Sequence, residues 1–346
     1  MKNVNVLIIG AGPAGSVCGY LLRKAGVDCL LVDCATFPRD KVCGGGLTPK
    51  AWHLLDELIP ELHYDFQIVS RIRASINGKS CIDLAIDDER RTVRVVRRRD
   101  FDNLLLQSYI EAGGKFQHAT FADFAENPDG SADYPIVVTF RSGEQVACRY
   151  LVGADGATSQ VRQRIAPTSS HGFLWFEQYQ PHPERTTPIM TVALSNHYSH
   201  GYYFVFPNQF HDVVGFGDKH TSKERFREVA AAMGTPLLAD APIHGAYIPR
   251  SSVVSPSPHV ILIGDAGGFP NRASYEGLYY AFATAYNACE AIVTGRDFRK
   301  VNKTIFRKKR KEEIMDPLVY NRVFFSILRL IALSPRFVKA CYNFFV

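Results

Sequence analysis

Apolar residues follow three different periods along this chain. Val4 to Ile9 is a nearly unbroken, β-branched apolar run, which predicts a strand buried on both faces. After a cluster of glycines, Ala14, Val17, Cys18, Leu21, Leu22 and Ala25 recur on one face of a helix that Gly26 ends. Val27 to Val32 then predicts a second strand, closing on Asp33. Two further apolar runs, over 150–152 and 260–263, lead into Gly-Ala-Asp-Gly and Gly-Asp-Ala-Gly turns. A helix patterned by Ala281, Ala285, Ala288, Cys289 and Ile292 follows the second turn. Elsewhere the period is two. Ile82, Leu84 and Ile86, then Val192 and Leu194, then Tyr202 to Phe206 predict half-buried antiparallel strands, a sheet distinct from the first. Ile136–Phe140 and Val146–Val152, joined at Ser142-Gly143, predict a hairpin leading back to the first sheet.

Composition narrows the class. At 346 residues, with 46% hydrophobic and 21% charged side chains, the chain has material for one large or two interleaved domains around a sizeable core. A net charge of +6 suits anionic cofactors or a membrane surface and is too diffuse to indicate nucleic acid. The eight cysteines are scattered without a CxxC pair, so neither a zinc site nor a disulfide framework is expected, and a reducing cytoplasmic location is. The N-terminal apolar run is too short for a signal peptide, and no stretch reaches the roughly 18 apolar residues of a membrane span. His197, His200 and His211 cluster in sequence without metal-ligand spacing. No metal is expected there, and one of the three can relay protons.

The glycine cluster carries the first chemistry. Gly10-Ala11-Gly12-Pro13-Ala14-Gly15 sits between strand and helix, and Asp33 ends the next strand 23 positions after Gly10. Gly10 permits the tight turn, Gly12 lets a pyrophosphate reach the backbone, and Gly15 allows close helix–strand packing. The helix N-terminus favours the phosphates and Asp33 accepts from a ribose hydroxyl. A dinucleotide is therefore expected. The blocks around Asp155 and around Gly264 and Asp265 are too widely separated for a compact NAD site and suit an extended FAD.

Together with Arg98-Arg99-Asp100-Phe101-Asp102-Asn103-Leu104-Leu105, which is similar to an Arg-x-x-Phe-Asp-x-x-Leu helix start, these blocks make residues 1 to about 300 resemble a large FAD-dependent family. That family includes p-hydroxybenzoate hydroxylase, squalene epoxidase, flavin-dependent halogenases and geranylgeranyl reductases. The resemblance implies that Arg98 contacts FAD and that Asp265 lies against its ribityl or pyrophosphate portion. Within the family, geranylgeranyl reductases carry Tyr-x-Trp-x-Phe-Pro followed by Gly-x-Gly, and this chain has Tyr202, Phe204, Phe206 and Pro207, then Gly215 and Gly217. As a bare pattern that aromatic stripe is ordinary sheet core. The spacing, the proline and the Gly-x-Gly point to a lipid-lined cavity. Lys41-Val42-Cys43-Gly44-Gly45 is similar to the reductases' Lys-Pro-Cys-Gly-Gly segment. By that resemblance Gly44 and Gly45 pass against the flavin, Arg39 or Lys41 lies near its phosphates, and Cys43 is either a packing residue or the proton donor, the second being favoured. Three departures stand out: Val42 for proline, Phe204 for tryptophan, and Tyr275-Glu276-Gly277-Leu278 for the commoner Gly-Glu-Gly-Ile. The last adds bulk where Gly277 and Leu278 should border the flavin ring.

The resemblance implies an α/β fold: a Rossmann-like FAD-binding domain of the p-hydroxybenzoate hydroxylase type, an interleaved antiparallel substrate sheet and C-terminal helices. The expected division is 1–70, 91–165 and 250–300 for FAD, 71–90 and 166–249 for substrate, and 301–346 for the helical extension. The expected function is a reductase saturating C=C bonds of an isoprenoid or other lipophilic substrate, with NAD(P)H or ferredoxin as electron donor. The alternatives are an FAD monooxygenase or halogenase of an aromatic substrate, or a non-catalytic prenyl-binding protein. The basic run Arg307 to Lys311 reads as a solvated helix face. Beyond it, 318–333 and 336–345 form two short cationic, strongly apolar helices, which suit either a membrane interface or packing on protein.

Overall fold

A computed structural model describes residues 1–126, 133–169, 172–182 and 187–319, with 321, 323 and 327 as single positions beyond; for 79–82, 318 and 319 it describes the backbone alone. The amphipathic pattern expected over 318–346 falls almost entirely outside the described residues.

β1 (Lys2–Ile9), α1 (Pro13–Lys24) and β2 (Cys29–Asp33) form where the apolar periods place them. Proline at the start of α1 has its φ pre-set for a helix and lacks an N–H that would have no partner there anyway. The glycine-rich loop then leads through β3 (Gly46–Leu47) and α2 (Pro49–Leu58) to β4 (Gln67–Val69), and on to the hairpin of β5 (Arg71–Ile76) and β6 (Lys79–Ala85). β7 (Val93–Val95) precedes α3 (Arg98–Glu111), β8 (Lys115–His118) and β9 (Phe121–Glu126). The expected hairpin is β10 (Ile136–Phe140) and β11 (Gln145–Gly153), followed by α4 (Gln160–Ile165). Next come β12 (Phe173–Gln180), β13 (Ile189–Leu194), β14 (Tyr203–Pro207), β15 (Asp212–Gly217), α5 (Lys223–Ala232) and β16 (His244–Ile248). The chain returns through β17 (Val260–Leu262), α6 (Leu278–Thr294), α7 (Phe298–Val301) and α8 (Lys303–Val319).

The first sheet has the order β8-β2-β1-β11-β10-β9, with β17 also paired to β11. Its centre is parallel: β1 lies between β2 and β11. The continuous apolar run of β1 is explained by two cores. Val6 and Ile8 pack among the helix residues Val17, Leu22, Leu105 and Ala285, while Leu7 and Ile9 pack among Phe121, Val138 and Val161. Burial on both faces removes the polar alternation that a half-exposed strand would show.

The second sheet has the order β16-β12-β15-β14-β13-β5-β6. Its neighbours are antiparallel except for β5 and β13, which run parallel from Arg71 beside Ile189 to Ile76 beside Leu194. Those two strands are joined by a long excursion through the first sheet, so no tight turn fixes their relative direction. One face packs on α5 through Phe176, Phe216, Phe226 and Val229. The other carries Trp175, Phe204, Phe206 and Val213, with Phe204 and Phe206 set against the loop that precedes β3. A small sheet, β3-β7-β4, carries that loop.

Candidate cofactor and substrate site

The glycine loop is built by steric exclusion. Gly10 has φ +105°, and a Cβ there would overlap the carbonyl of Ala154 and lie 2.7 Å from Asp155 N. A Cβ on Gly15 would overlap the Gly10 carbonyl oxygen. Gly12 is different: its nearest neighbour is the Arg39 guanidinium at 3.4 Å, so its outer side is roofed only by a cation. The start of α1 has no side-chain cap, which leaves first-turn amides for an anionic ligand. Asp33 is fixed at the end of β2, accepting from Ala11 N at 2.6 Å and Ala35 N at 2.7 Å. Each oxygen keeps a lone pair for a hydroxyl.

The three sequence-distant blocks meet here. Ala154 and Asp155 form the floor under Gly10, and Gly264 packs against Ala14, whose Cβ lies 2.9 Å from where a side chain would begin. Asp265 in turn stands 3.3 Å from the Cβ position of Gly277, the residue before Leu278 opens α6. The Asp155 carboxylate is itself taken up at the start of α4, accepting from the Ser159 hydroxyl and from Gln160 N and Val161 N. This block therefore shapes the loop through its backbone. An uncapped helix start, a cradle that Cβ atoms would fill and a roofing arginine fit an elongated dinucleotide such as FAD.

Arg98 does not stand alone. Its guanidinium is buried in a two-pronged pair with Asp102, one turn further along α3, at 2.6 and 2.7 Å. Arg39 reaches the same carboxylate at 3.6 Å. Asp102 therefore aligns both cations from a fully buried position. The Cys43 thiol lies against Arg98, and its Sγ accepts from Gly45 N at 3.4 Å.

Beside it stands the aromatic face. A Cβ on Gly44 would lie 2.6 Å from Phe206 and 3.0 Å from Phe204, and one on Gly46 would lie 3.0 Å from Phe206. Gly45, at φ +74°, turns directly on the Val96 carbonyl. The loop thus threads between the rings and the end of β7. Cβ atoms on Gly215 and Gly217 would overlap the rings of Phe204 and Trp175, so the Gly-x-Gly spacing is what lets those rings lie flat on β15. Pro207 closes β14 opposite Asp212, and the Tyr202 hydroxyl donates to Ser274 O at 2.7 Å.

Tyr275 accounts for one sequence departure. It sits at φ +55°, a backbone region that favours glycine. Its ring is 4.5 Å from that of Trp175 and buried on the aromatic face, and its hydroxyl accepts from Arg250. The face is therefore covered by this ring where a glycine is commoner. Tyr275→Gly is expected to trade lost ring burial of about 3 kcal/mol against relieved strain of about 1–2 kcal/mol. The variant should melt slightly lower and bind an apolar fluorophore that the parent excludes, measured by thermal denaturation and fluorescence titration.

β12 brings residues that motif reasoning missed. Trp175, Glu177 and Tyr179 alternate onto the aromatic face, and Glu177 is 1% exposed. Burial pushes its carboxyl up to about 7, against the opposing pull of the Tyr179 hydroxyl, the Cys43 amide, Lys41 and Arg98. An acid in the stretch Phe173-Leu-Trp-Phe-Glu-Gln-Tyr-Gln180 was the available signal. Of the three histidines, His211 stacks near Tyr179 with ring centroids 4.5 Å apart, and burial lowers its pKa. His200 lies 3.7 Å from Asp316, and His197 is exposed.

The loop and the C-terminal helix are tied to the same region. Glu276 pairs with Lys50 at 2.7 Å and accepts from the Thr48 hydroxyl. On α8, Asp316 binds Arg250 and Arg272. The basic run is not wholly solvated as expected. Lys309 is buried, donating to Pro270 O at 3.0 Å and Glu312 at 2.7 Å over the Tyr280 ring, and burial lowers its pKa to about 8. Arg307, Lys308, Arg310 and Lys311 remain exposed. No described helix is long and apolar enough to cross a membrane.

The chain is similar to known proteins along most of its length. Menaquinone reductase of Mycolicibacterium smegmatis is 30% identical, over 84% of this chain and 76% of its own. Geranylgeranyl diphosphate reductase of Rhodobacter capsulatus is 28% identical, over 83% of this chain and 74% of its own. The crystal structure of halogenase PltM shares the fold with a TM-score of 0.72 at 17% identity, over 92% of this chain and 76% of its own. A family model described as FAD binding domain matches residues 3–266. The chain belongs to this FAD-binding family of oxidoreductases, with FAD as its cofactor.

Proposed function

We propose that this protein is an FAD-dependent reductase that saturates C=C bonds in the isoprenoid chain of a lipophilic substrate. The observation that carries this reading is the aromatic face of Trp175, Tyr202, Phe204 and Phe206, in which Phe204 and Trp175 lie over Gly215 and Gly217 and Phe204 and Phe206 press on Gly44 and Gly46. Such a surface binds an apolar chain and offers few polar groups to an aromatic substrate's hydroxyls. The sequence relatives named as reductases support it, whereas the likeness to a halogenase is one of fold.

In this reading the glycine loop and Arg39 would hold the pyrophosphate, Asp33 would hold the ribose, and Asp265 and Gly277 would border the ribityl chain. Reduced FAD, when bound, supplies a hydride. The chain's own residues hold the substrate, exclude water and deliver a proton. An isolated alkene is a poor hydride acceptor, so a placed acid in a dry site lowers much of the barrier. Cys43, between Arg98 and the aromatic face, takes the role of acid, and Arg98 with the Gly45 amide steadies the sulfur once its proton has gone. The substrate lies in a membrane, and the basic surface of α8 lets the protein work at its face.

The test is anaerobic incubation of chemically reduced holoenzyme with geranylgeranyl diphosphate or a menaquinone in detergent, with products weighed by mass spectrometry. Gain of two hydrogens per reduced bond supports the reading. Oxygen-dependent hydroxylation or halogenation of an aromatic compound, with no hydrogen gain, overturns it. Cys43→Ser is expected to keep its yellow colour and slow reduction by about 10²-fold or more, measured as single-turnover product formation.

A further inference from the structure

Glu177 is a buried acid for which the reading above has no use. Strand register sets it opposite Gly215 on β15 and His244 on β16, and Phe204 covers Gly215. Oε1 accepts from the Tyr179 hydroxyl at 3.0 Å, while Oε2 has no well-formed hydrogen bond among the described residues. Lys41 and Arg98 are near enough to be felt, and so is the Cys43 backbone amide. No described cation forms an ion pair with it within 4 Å, as Arg98 and Arg39 do with Asp102. A lone carboxylate in such surroundings is strongly disfavoured, so the group holds its proton up to about pH 7. Tyr179 lines a groove with Lys41, Cys43, Arg98, Asn208 and His211. A hydrogen-bonded path thus runs from the groove through the Tyr179 hydroxyl to a carboxyl behind it, beside Cys43.

We infer that Glu177 is the proton reservoir of this site, reloading Cys43 after each turnover and itself reloaded from the groove through Tyr179. The inference rests on the alkene-reductase reading. In the first transfer the alkene π pair takes the Cys43 S–H proton, a C–H bond forms and a thiolate remains. The hydride supplied by the flavin reductant completes the other carbon. The thiolate then takes the proton from the Glu177 O–H, leaving a carboxylate. Oε1 recovers a proton from the Tyr179 O–H, and the tyrosine takes one from water in the groove. Glu177 acts through Cys43 and is thus a positioning residue in proton supply. The titratable or charged groups facing this path are Asp40, Lys41 and Cys43 from the loop, Arg97, Arg98 and Arg99 at the start of α3, Tyr179 from β12, His211 from the β14–β15 turn with His182 and Asp212 near it, and His244 from β16.

The experiment separates first turnover from steady state. With pre-reduced holoenzyme and geranylgeranyl diphosphate, Glu177→Gln should complete the first turnover within about twofold of the parent, since Cys43 already holds its proton. Steady-state turnover should fall by about 10²-fold and lose the parent's decline as pH rises through about 7. Glu177→Asp should restore much of it. Equal slowing of both phases by Glu177→Gln, or no slowing of either, overturns the reservoir while leaving the reductase reading intact. A parent that never reduces the alkene overturns both. Independently of turnover, apoprotein carrying Trp52→Phe retains Trp175 as its only tryptophan, excited selectively on the red side of tyrosine absorption. Its emission should show a transition near pH 7 that Glu177→Gln abolishes and His211→Asn leaves in place. A transition that follows His211, or none at all, overturns Glu177 as the group holding the proton.

Discussion

Gly15→Ala is expected to yield a colourless protein. The added methyl overlaps the carbonyl oxygen of Gly10 and comes 3.3 Å from Ala154 Cβ. Neither neighbour can retreat. Gly10 already turns at φ +105° against the Ala154 backbone, and Ala154 continues β11, the parallel partner of β1. Backbone overlap of this kind costs about 3 kcal/mol or more, which lowers Tm by roughly 4 °C or more in a chain of this size. The larger effect is on the ligand, because the first turn of α1 must move away from where a pyrophosphate would bind. Gly12→Ala is the internal control. Its methyl meets only the end of the Arg39 side chain at 3.4 Å, so that variant should melt like the parent and lose only part of its flavin. Visible absorbance of the purified variants, with thermal denaturation of each, decides the matter. Comparable flavin content in Gly15→Ala and the parent would show that the loop is not the cofactor cradle.

Asp102→Ala should be the most destabilising change of a single charge. It leaves Arg98 buried without its two-pronged partner and frees Arg39 from the same carboxylate. An uncompensated buried guanidinium costs about 3–5 kcal/mol, or a Tm fall of roughly 4–7 °C. The double replacement Arg98→Met with Asp102→Leu should recover much of that stability, because the penalty lies in stranding a charge. It should not recover flavin retention if Arg98 and Arg39 hold the cofactor. Melting of both variants beside the parent, with flavin content, tests the two parts separately. A single mutant as stable as the parent would mean that water reaches Arg98.

Much of this was legible in the chain. The apolar run of β1 announced burial on both faces, and the period-two aromatics of β14 announced a wall whose flatness Gly215 and Gly217 make possible. What could not be read was longer in range. Nothing local says that 71–76 runs parallel to 189–194, since pairing across so long an excursion is set by the layers it crosses. Lys309 looked like its four exposed neighbours because a charge run carries no record of which helix face docks. Glu177 belonged to no motif. Its character comes from Gly215, Phe204 and Tyr179 around it, on other strands or two residues away. Asp102 was visible as part of a helix start, yet its hold on Arg39 from another loop was not.

One guanidinium gives the fold a mechanical property. Arg250 donates both to the Tyr275 hydroxyl on the aromatic face and to Asp316 near the end of α8. The Tyr275 ring over the aromatic face and α8 are thereby held by the same rivet. Neither can swing out while keeping its full set of bonds, so the free energy that loosens one is partly spent already for the other. The end of α8 is thus coupled, through Arg250 and with Arg272 beside it, to the ring that covers the aromatic face.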